Sequence, residues 1–368
     1  MTINLNKENL KMRKYTPRIV VLIILLVAGY FIFRPNMDEN YSQTNYYLGT
    51  VNTVTVYGKK EKKAMEILKG CDDVVKNIDN LMSTEIPGSD VSKINKNAGI
   101  KPVKVSEETY EVVKEAIHYS KISDGNFDVT IGPVSNLWSI GKDDARVPEK
   151  TEIDSLLSLV DYKNIEIKEN KIETDKDDDG KNETFDKEYT VFLKKKGMKI
   201  DLGAIAKGFA ADQVALYLKS SEVEKAIINL GGNIKTIGDF NIGLKNPVEN
   251  ANDSFASVKV SNKSVVTSGV YERFVEKDGK KYHHILNPAD GYPFDNNLLS
   301  VSIISNKSIN CDALSTSAFA LGLEDGKKLI ESIDNVEAVF VTKDKKVYLT
   351  KGFKDEFEIL NDSFKVVK

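Results

Sequence analysis

The sequence predicts an α+β protein, with mixed or antiparallel sheets and helices packed on them. Three observations carry this. Residues 48–57, LGTVNTVTVY, alternate and are rich in Thr and Val, the pattern of a half-buried strand. Residues 199–238 read strand, sharp turn, helix, strand, glycine turn, strand. There Gly203 breaks a short apolar run, and Ile205, Phe209, Ala210, Val214 and Leu218 then recur at helical spacing. Third, GAIAKG lacks the G-x-G-x-x-G spacing and no acidic residue follows at the expected strand end, which argues against a dinucleotide-binding doubly wound fold.

The 368 residues suffice for one large domain or two modest ones with a real core. Lys+Arg is 52 against Asp+Glu 55, a net charge of −3, so nothing marks nucleic acid as a partner. Cys71 and Cys311 lie far apart on apolar helical patterns and read as buried free thiols. The histidines are three, His118, His283 and His284. That disfavours a His/Cys zinc site and points any metal toward a hard ion held by oxygens.

Residues 19–33, IVVLIILLVAGYFIF, are uncharged and apolar and would span roughly 22 Å as a helix. A bilayer core is about 30 Å thick, so Arg18 and Arg34 would snorkel to close part of the gap. Lys7, Lys11, Arg13, Lys14 and Arg18 precede the run, which assigns residues 1–18 to the cytoplasm and the bulk of the chain to the outside. No small-x-small site follows it, so a single-pass membrane anchor is preferred to a cleaved signal peptide or a buried core helix. A polar linker over 34–46 then leads into one unit over 47–368.

Residues 60–82 form a helix with one apolar face. Ser106 caps another that runs to Lys121, on which His118 reads as structural. The stretch 123–141, SDGNFDVTIGPVSNLWSIG, sets Asp124, Gly125, Asp128, Gly132 and Pro133 round Phe127 and the sole Trp138. It is either a turn that buries two aromatics or a loop lining a pocket for a planar ring. Residues 161–173 and 189–194 form a hairpin, with an insertion over about 168–190. Near its tip Asp175, Asp177, Asp179, Glu183 and Asp186 take positions 1, 3, 5, 9 and 12 of a calcium loop, with Gly180 at position 6. Asn182 at the usually apolar position and the strand-like flanks depart from that pattern, so a Ca²⁺ site and a solvated tip both stand.

The glycine turns at Gly203 and at Gly231-Gly232 either present N–H groups to a phosphate or serve topology alone. Strands follow at 257–261 and 265–268. In a further strand, 280–287, the adjacent His283 and His284 point to opposite faces, so one of them can face a pocket. A strand at 300–305 enters a strongly apolar helix at Asn310. On that helix Asp312 and Thr316 stand four apart on one face. Together they would ligate Mg²⁺, or else Asp312 caps the helix while Thr316 bonds back to a carbonyl. Residues 324–368 read as one helix and two or three strands without visible chemistry.

Seven blocks in order now resemble the ApbE family of FAD:protein FMN transferases. They are LMST with SDVSKIN, DGNFDVTIGPVSNLW, KIDLGAIAKGFAAD, INLGGNI, TSGVYERF, HHILNPADGYP and CDALSTSAFALG, between about Leu48 and Gly322. The resemblance implies a T-fold-related catalytic domain and a Mg²⁺-dependent enzyme. Such an enzyme cleaves the pyrophosphate of FAD, releases AMP and places FMN on a Thr or Ser of another protein through a phosphoester. It implies FAD contacts at Leu48, Asn126, Phe127, Asp128, Asp201, Lys207, Ile285 and Leu286. It implies a metal held by the Ala204 carbonyl, Asp312 and Thr316, with Ser315 close by. His284 would be the base, with an ordinary pKa of about 6.5, and Asp312 the second catalytic residue. Leu48-Gly49-Thr50 departs from the family's frequent Met-Gly-Thr, and the apolar helix stands where many relatives carry a lipobox cysteine or a cleaved signal. The implied acceptor is a membrane or extracytoplasmic electron-transfer flavoprotein, such as an Rnf- or Nqr-type subunit. A pyrophosphatase, with water as acceptor, would use the same residues. A flavin-binding module without catalysis would need neither His284, Asp312 nor Thr316.

Overall fold

The computed structural model describes residues 37, 39–175, 184–248, 251, 253–353 and 356–367. The apolar run 19–33 and the acidic Asp177, Asp179 and Glu183 lie outside them. Among the described residues no helix is long and apolar enough to cross a membrane.

A nine-stranded sheet forms the middle layer. In spatial order its strands are β1 (Asn40–Tyr47), β2 (Thr50–Tyr57), β6 (Ala226–Leu230), β7 (Asn233–Ile237), β10 (Ser264–Gly269), β13 (Leu298–Ser305), β14 (Val336–Thr342), β15 (Lys346–Leu349) and β17 (Lys365–Val367). All neighbours are antiparallel except the parallel pair β15–β17, so the sheet is mixed, as predicted. Smaller sheets join β3 (Val103–Val105), β5 (Thr184–Leu193) and β4 (Ile165–Asp175), and β16 (Phe357–Ile359), β9 (Ser254–Ser261) and β8 (Asp239–Lys245). A separate hairpin pairs β11 (Phe274–Lys277) with β12 (Lys280–His283). Asp175 ends β4, and Asp186 lies in β5 opposite Ile172.

Seven α-helices occur among the described residues: α1 (Glu61–Met82), α2 (Asp90–Lys96), α3 (Glu107–Ile122), α4 (Gly132–Trp138), α5 (Lys150–Leu157), α6 (Ala206–Ser220) and α7 (Ser308–Glu331). The main core lies between the sheet and helices α1, α3, α6 and α7. A second core fills the opposite face, between the sheet and β8–β9. The pleat sorts neighbours between the two: Val266 and Ile303 enter the helical core, Val265 and Ile304 the other. This is why β13 is buried almost throughout. Both cysteines are buried and free, as expected.

Several boundaries move. Residues 40–46, expected to be linker, are most of β1. Its composition hid it: the strand is polar and exposed at every second position, and it is held by β2 through a hydroxyl ladder, Ser42–Thr55 at 2.8 Å and Thr44–Thr53 at 2.9 Å. Leu48 and Gly49, expected in a strand, form its hairpin turn with φ of 53° and 67°, the left-handed pair that tight hairpins use. Helix α7 starts at Ser308, before Asn310, because Asp212 of α6 caps it, accepting from the Ser308 and Ile309 N–H groups at 2.9 and 3.0 Å. Its last turns are set off by a kink at Gly322.

Helices α6 and α7 approach closely at Gly208. A Cβ there would lie 2.4 Å from the Ser308 carbonyl oxygen and 2.6 Å from the Ile309 Cα. Gly208→Ala is expected to cost about 1–3 kcal/mol through overpacking, read as a lower urea midpoint with an unchanged m-value.

Candidate functional site

The loop after α3, the turn before α6, strand β10 and the first turns of α7 enclose a cleft of about 290 Å³. Leu48, Asn126, Phe127, Asp128, Asp201, Ala204, Lys207, His284, Ile285, Leu286, Asp312 and Thr316 all line it. Residues from five separated stretches of the chain thus meet as expected.

Its apolar floor forms first. Phe127 and Trp138 are buried, at 3% and 0% exposure, and both border the cleft. The two alternatives for the 123–141 loop therefore hold together: the aromatics are core and lining at once. Trp138 Nε1 donates to the Gly291 carbonyl at 2.8 Å, which fixes the ring. Asp128 borders the cleft, but its carboxylate serves the loop. Oδ1 accepts from the Thr130 N–H and hydroxyl at 2.8 and 2.6 Å, and Oδ2 from the Tyr162 N–H at 2.9 Å. Burial still pushes this carboxyl above its usual range. Asp201 accepts from the Gly203 N–H at 2.8 Å and shapes the turn before α6.

The polar wall is built on α6 and α7. Asp312 is 4% exposed. Its Oδ2 accepts from the Gly208 N–H at 2.9 Å, and its Oδ1 lies 3.4 Å from Lys207 Nζ. It sits a full turn inside the helix, so the capping alternative fails and Asp212 fills that role. Thr316 Oγ1 stands 3.3 Å from the Ser268 hydroxyl. Ser315, expected beside a metal, is turned away by one helical step. It is fully buried, donates to the Asp312 carbonyl at 2.9 Å and meets Ser268 Oγ at 2.8 Å, so it supports the wall without facing the cleft.

The glycine turn at 231–232 offers little to a phosphate. Gly231 N–H is spent on the Val51 carbonyl at 3.0 Å and Gly232 N–H on Asn229 Oδ1 at 2.8 Å.

His284 faces the cleft while His283 turns to the Phe294 carbonyl, 2.9 Å from its Nε2. His284 Nδ1 is 3.3 Å from the Arg273 carbonyl. A carbonyl only accepts, so Nδ1 carries the proton and Nε2 keeps its lone pair. Burial, then the Arg273 cation, lowers this histidine to about 4, well under the ordinary value expected from the sequence. It is neutral throughout the physiological range.

Two charged residues were not singled out for the site: Glu272 and Arg273, adjacent in TSGVYERF, both line the cleft. Desolvation pushes the Glu272 carboxyl up to about 7, against the pull of Lys207, Arg273 and Lys245, while the residue keeps solvent-facing surface at the rim. Their signal was a charged pair inside a block otherwise built for a strand end. Asn95 was also missed. Its amide clamps the Ile200 backbone from both sides, at 2.7 and 3.0 Å, and so sets the segment that carries Asp201, which is not the strand expected from the sequence.

A larger cavity of about 850 Å³ lies behind the 271–274 and 282–287 wall, with His283 in its lining. It contains none of Asp312, Lys207 or Thr316. Convergent polar groups, not volume, mark the smaller cleft as the site.

Fold and cleft together define a mixed α+β protein that sets the Asp312 carboxylate, the Thr316 hydroxyl, Lys207 and a neutral His284 round an aromatic floor. The chain belongs to the ApbE family, whose sequence model matches residues 48–340. It is 36% identical over 333 residues to the FAD:protein FMN transferase of Klebsiella pneumoniae (strain 342), covering 90% of this chain and 99% of that protein. It is 32% identical over 362 residues to the FAD:protein FMN transferase of Treponema pallidum (strain Nichols), covering 94% and 96%. Among solved structures, the ApbE protein of Thermotoga maritima superposes with a TM-score of 0.73 at 31% identity, over 86% of this chain and 98% of that one. The flavin transferase ApbE of Vibrio cholerae gives 0.71 at 25% identity, over 86% and 99%.

In a histidine-resolved NMR titration of the flavin-free protein, His284 is expected to stay neutral on acidification through pH 6 and to protonate near about 4. A midpoint at the ordinary histidine value would contradict the burial described here.

Proposed function

We propose that this chain is a Mg²⁺-dependent FAD:protein FMN transferase. The observation that carries this is the pairing, in one cleft, of a buried carboxylate with a single oxygen left for a cation and a neutral histidine with a free Nε2.

The donors fit the ion. Asp312 Oδ1, the Thr316 hydroxyl and the Ala204 carbonyl are hard oxygens of the kind Mg²⁺ takes, and among the described residues no group of three or more His, Cys, Asp and Glu could hold a metal ion. A cation, the Lys207 ammonium, already stands against Asp312 Oδ1. Magnesium, when bound, screens the pyrophosphate and orients its two phosphates.

The chain's own groups do the rest. Phe127, Ile285 and Leu286 offer apolar surface to the isoalloxazine. Lys207 and Arg273 offer positive charge to the phosphates. An acceptor threonine is a poor nucleophile at neutral pH and needs a positioned base. His284 Nε2 takes the hydroxyl proton as the acceptor oxygen bonds to the FMN phosphorus and the bond from that phosphorus to the AMP oxygen breaks. The products are flavinylated acceptor and AMP. A histidine held near 4 is a weak base in the free protein, but the negative charge of bound FAD favours its protonated form and raises its basicity where the proton must move.

The acceptor is a flavoprotein with a Thr or Ser site, of the Rnf or Nqr type or an extracytoplasmic electron-transfer flavoprotein. Residues 19–33 anchor the chain to the cell membrane with the catalytic unit outside the cytoplasm, on the strength of their apolar run and basic flank. For residues 175–186 ligand spacing alone raises Ca²⁺ as an alternative to a solvated hairpin tip, and calorimetry without heat at millimolar calcium would leave the tip.

The protein is incubated with FAD, Mg²⁺ and a Thr-bearing flavoprotein, and the denatured acceptor band is read for flavin fluorescence. Fluorescence on the band supports transfer, free FMN alone means a hydrolase, and intact FAD means a carrier. His284→Asn is expected to slow transfer about 10²–10⁴-fold. Asp312→Ala is expected to abolish Mg²⁺-dependent turnover with an unchanged circular dichroism spectrum. Normal rates in either variant would overturn that residue's role.

A further inference from the structure

Lys207 does more in this cleft than supply positive charge. Its Nζ donates to the Gly203 carbonyl and lies 3.4 Å from Asp312 Oδ1. The other Asp312 oxygen is committed to the Gly208 N–H at 2.9 Å. The ammonium therefore occupies the remaining oxygen of the carboxylate on α7, the charged member of the donor set proposed above, while it holds the carbonyl one residue before that of Ala204. The side chains are 20% and 6% exposed, so this is no solvent-screened surface pair. Removing its partner would leave Asp312 buried with a single backbone N–H to offset its charge, a costly state.

A divalent ion and an ammonium cannot both occupy the same carboxylate oxygen. Mg²⁺ demands its oxygens at about 2.0–2.1 Å, and like charges at such a separation repel strongly. We propose that Lys207 is a placeholder for the metal: it neutralises Asp312 while the site is metal-free, must withdraw before the metal binds, and keeps metal affinity low until an anionic substrate draws the ammonium away. This rests on the metal site proposed above.

The cleft provides somewhere for the ammonium to go. Glu272 lines the same cleft, and Lys207 is the foremost of the charges that favour its ionised form. The pyrophosphate of FAD is a stronger attractor, with charges on two phosphates. Because withdrawal of one side chain serves both ligands, FAD and metal tighten one another, and by linkage the factor is the same in each direction. The device makes the metal site competent when substrate is present and leaves it guarded when it is not.

The test uses Mn²⁺ as the probe, with free ion counted by electron paramagnetic resonance in the full chain freed of flavin. Lys207→Gln is expected to bind Mn²⁺ about tenfold more tightly than the wild type, within the usual range of coupling factors. Lys207→Arg, which keeps the charge, is expected to stay close to wild type. Without metal, Lys207→Gln should melt lower than wild type, and Mn²⁺ should restore it more than it raises wild type. Equal or weaker Mn²⁺ binding by Lys207→Gln overturns the placeholder role, as does tight binding by Lys207→Arg. A separate control protects the metal site itself. If Lys207→Gln binds Mn²⁺ equally well with and without Asp312→Ala, the ion does not sit at Asp312, and the metal assignment fails independently of Lys207.

Discussion

The hydrogen bond from the Gly208 amide to the Asp312 carboxylate is the contact on which the site depends. It joins the first turn of α6 to the second turn of α7, 104 residues apart. Burying a carboxylate costs several kcal/mol unless it is paired and hydrogen-bonded. Here the amide and the Lys207 ammonium together meet that condition. The contact forms only because position 208 has no side chain, which lets the backbone of residues 308–309 lie against α6. A second carboxylate, Asp212, capping α7 and standing 3.4 Å from the buried Lys235, holds the same two helices at that distance. The separation of α6 and α7, the direction of Asp312 and the position of Lys207 are therefore one structural decision.

Charge in the cleft follows from that decision. Lys207 and Arg273 share a cleft of about 290 Å³ with Glu272 and Asp312. Arg273 also reaches the Gly49 carbonyl, 3.4 Å from its Nη2, which ties the β1–β2 turn to the rim. Burial first, and then the same positive charges that would receive phosphates, hold His284 neutral. The wall that carries these residues is two-sided. Alternation along it sends Arg273 and His284 to the cleft and Phe274 and His283 to the larger cavity behind.

Much of the site was legible because its chemistry needs rare residue types in compact local patterns. Asp312 and Thr316 at helical spacing, the paired histidines and the Phe–Trp loop each stand out against their neighbours. What stayed open lies where local pattern is ambiguous about direction. Ser315 is one residue from Thr316, and a single helical step turns it from cleft to core. The 231–232 glycine turn has the composition of a phosphate loop, yet Val51 and Asn229 use its amides. Strand β1 was hidden because its composition is polar, with only Tyr41 and Tyr47 packed against the core and the rest held by pairing with β2.

By itself the sequence determined most element types, β1 and its turn excepted, with the α+β class, the fate of both cysteines and the family, since periodicity and motif blocks are local properties of the chain. Tertiary structure alone decided which groups meet. The clamp of Asn95 on Ile200, the entry of Glu272 and Arg273 into the cleft, the lowered basicity of His284 and the ammonium of Lys207 on Asp312 all arise from contacts between distant segments. Such contacts depend on packing distance and desolvation, and neither is written in the spacing of residues along one helix or strand.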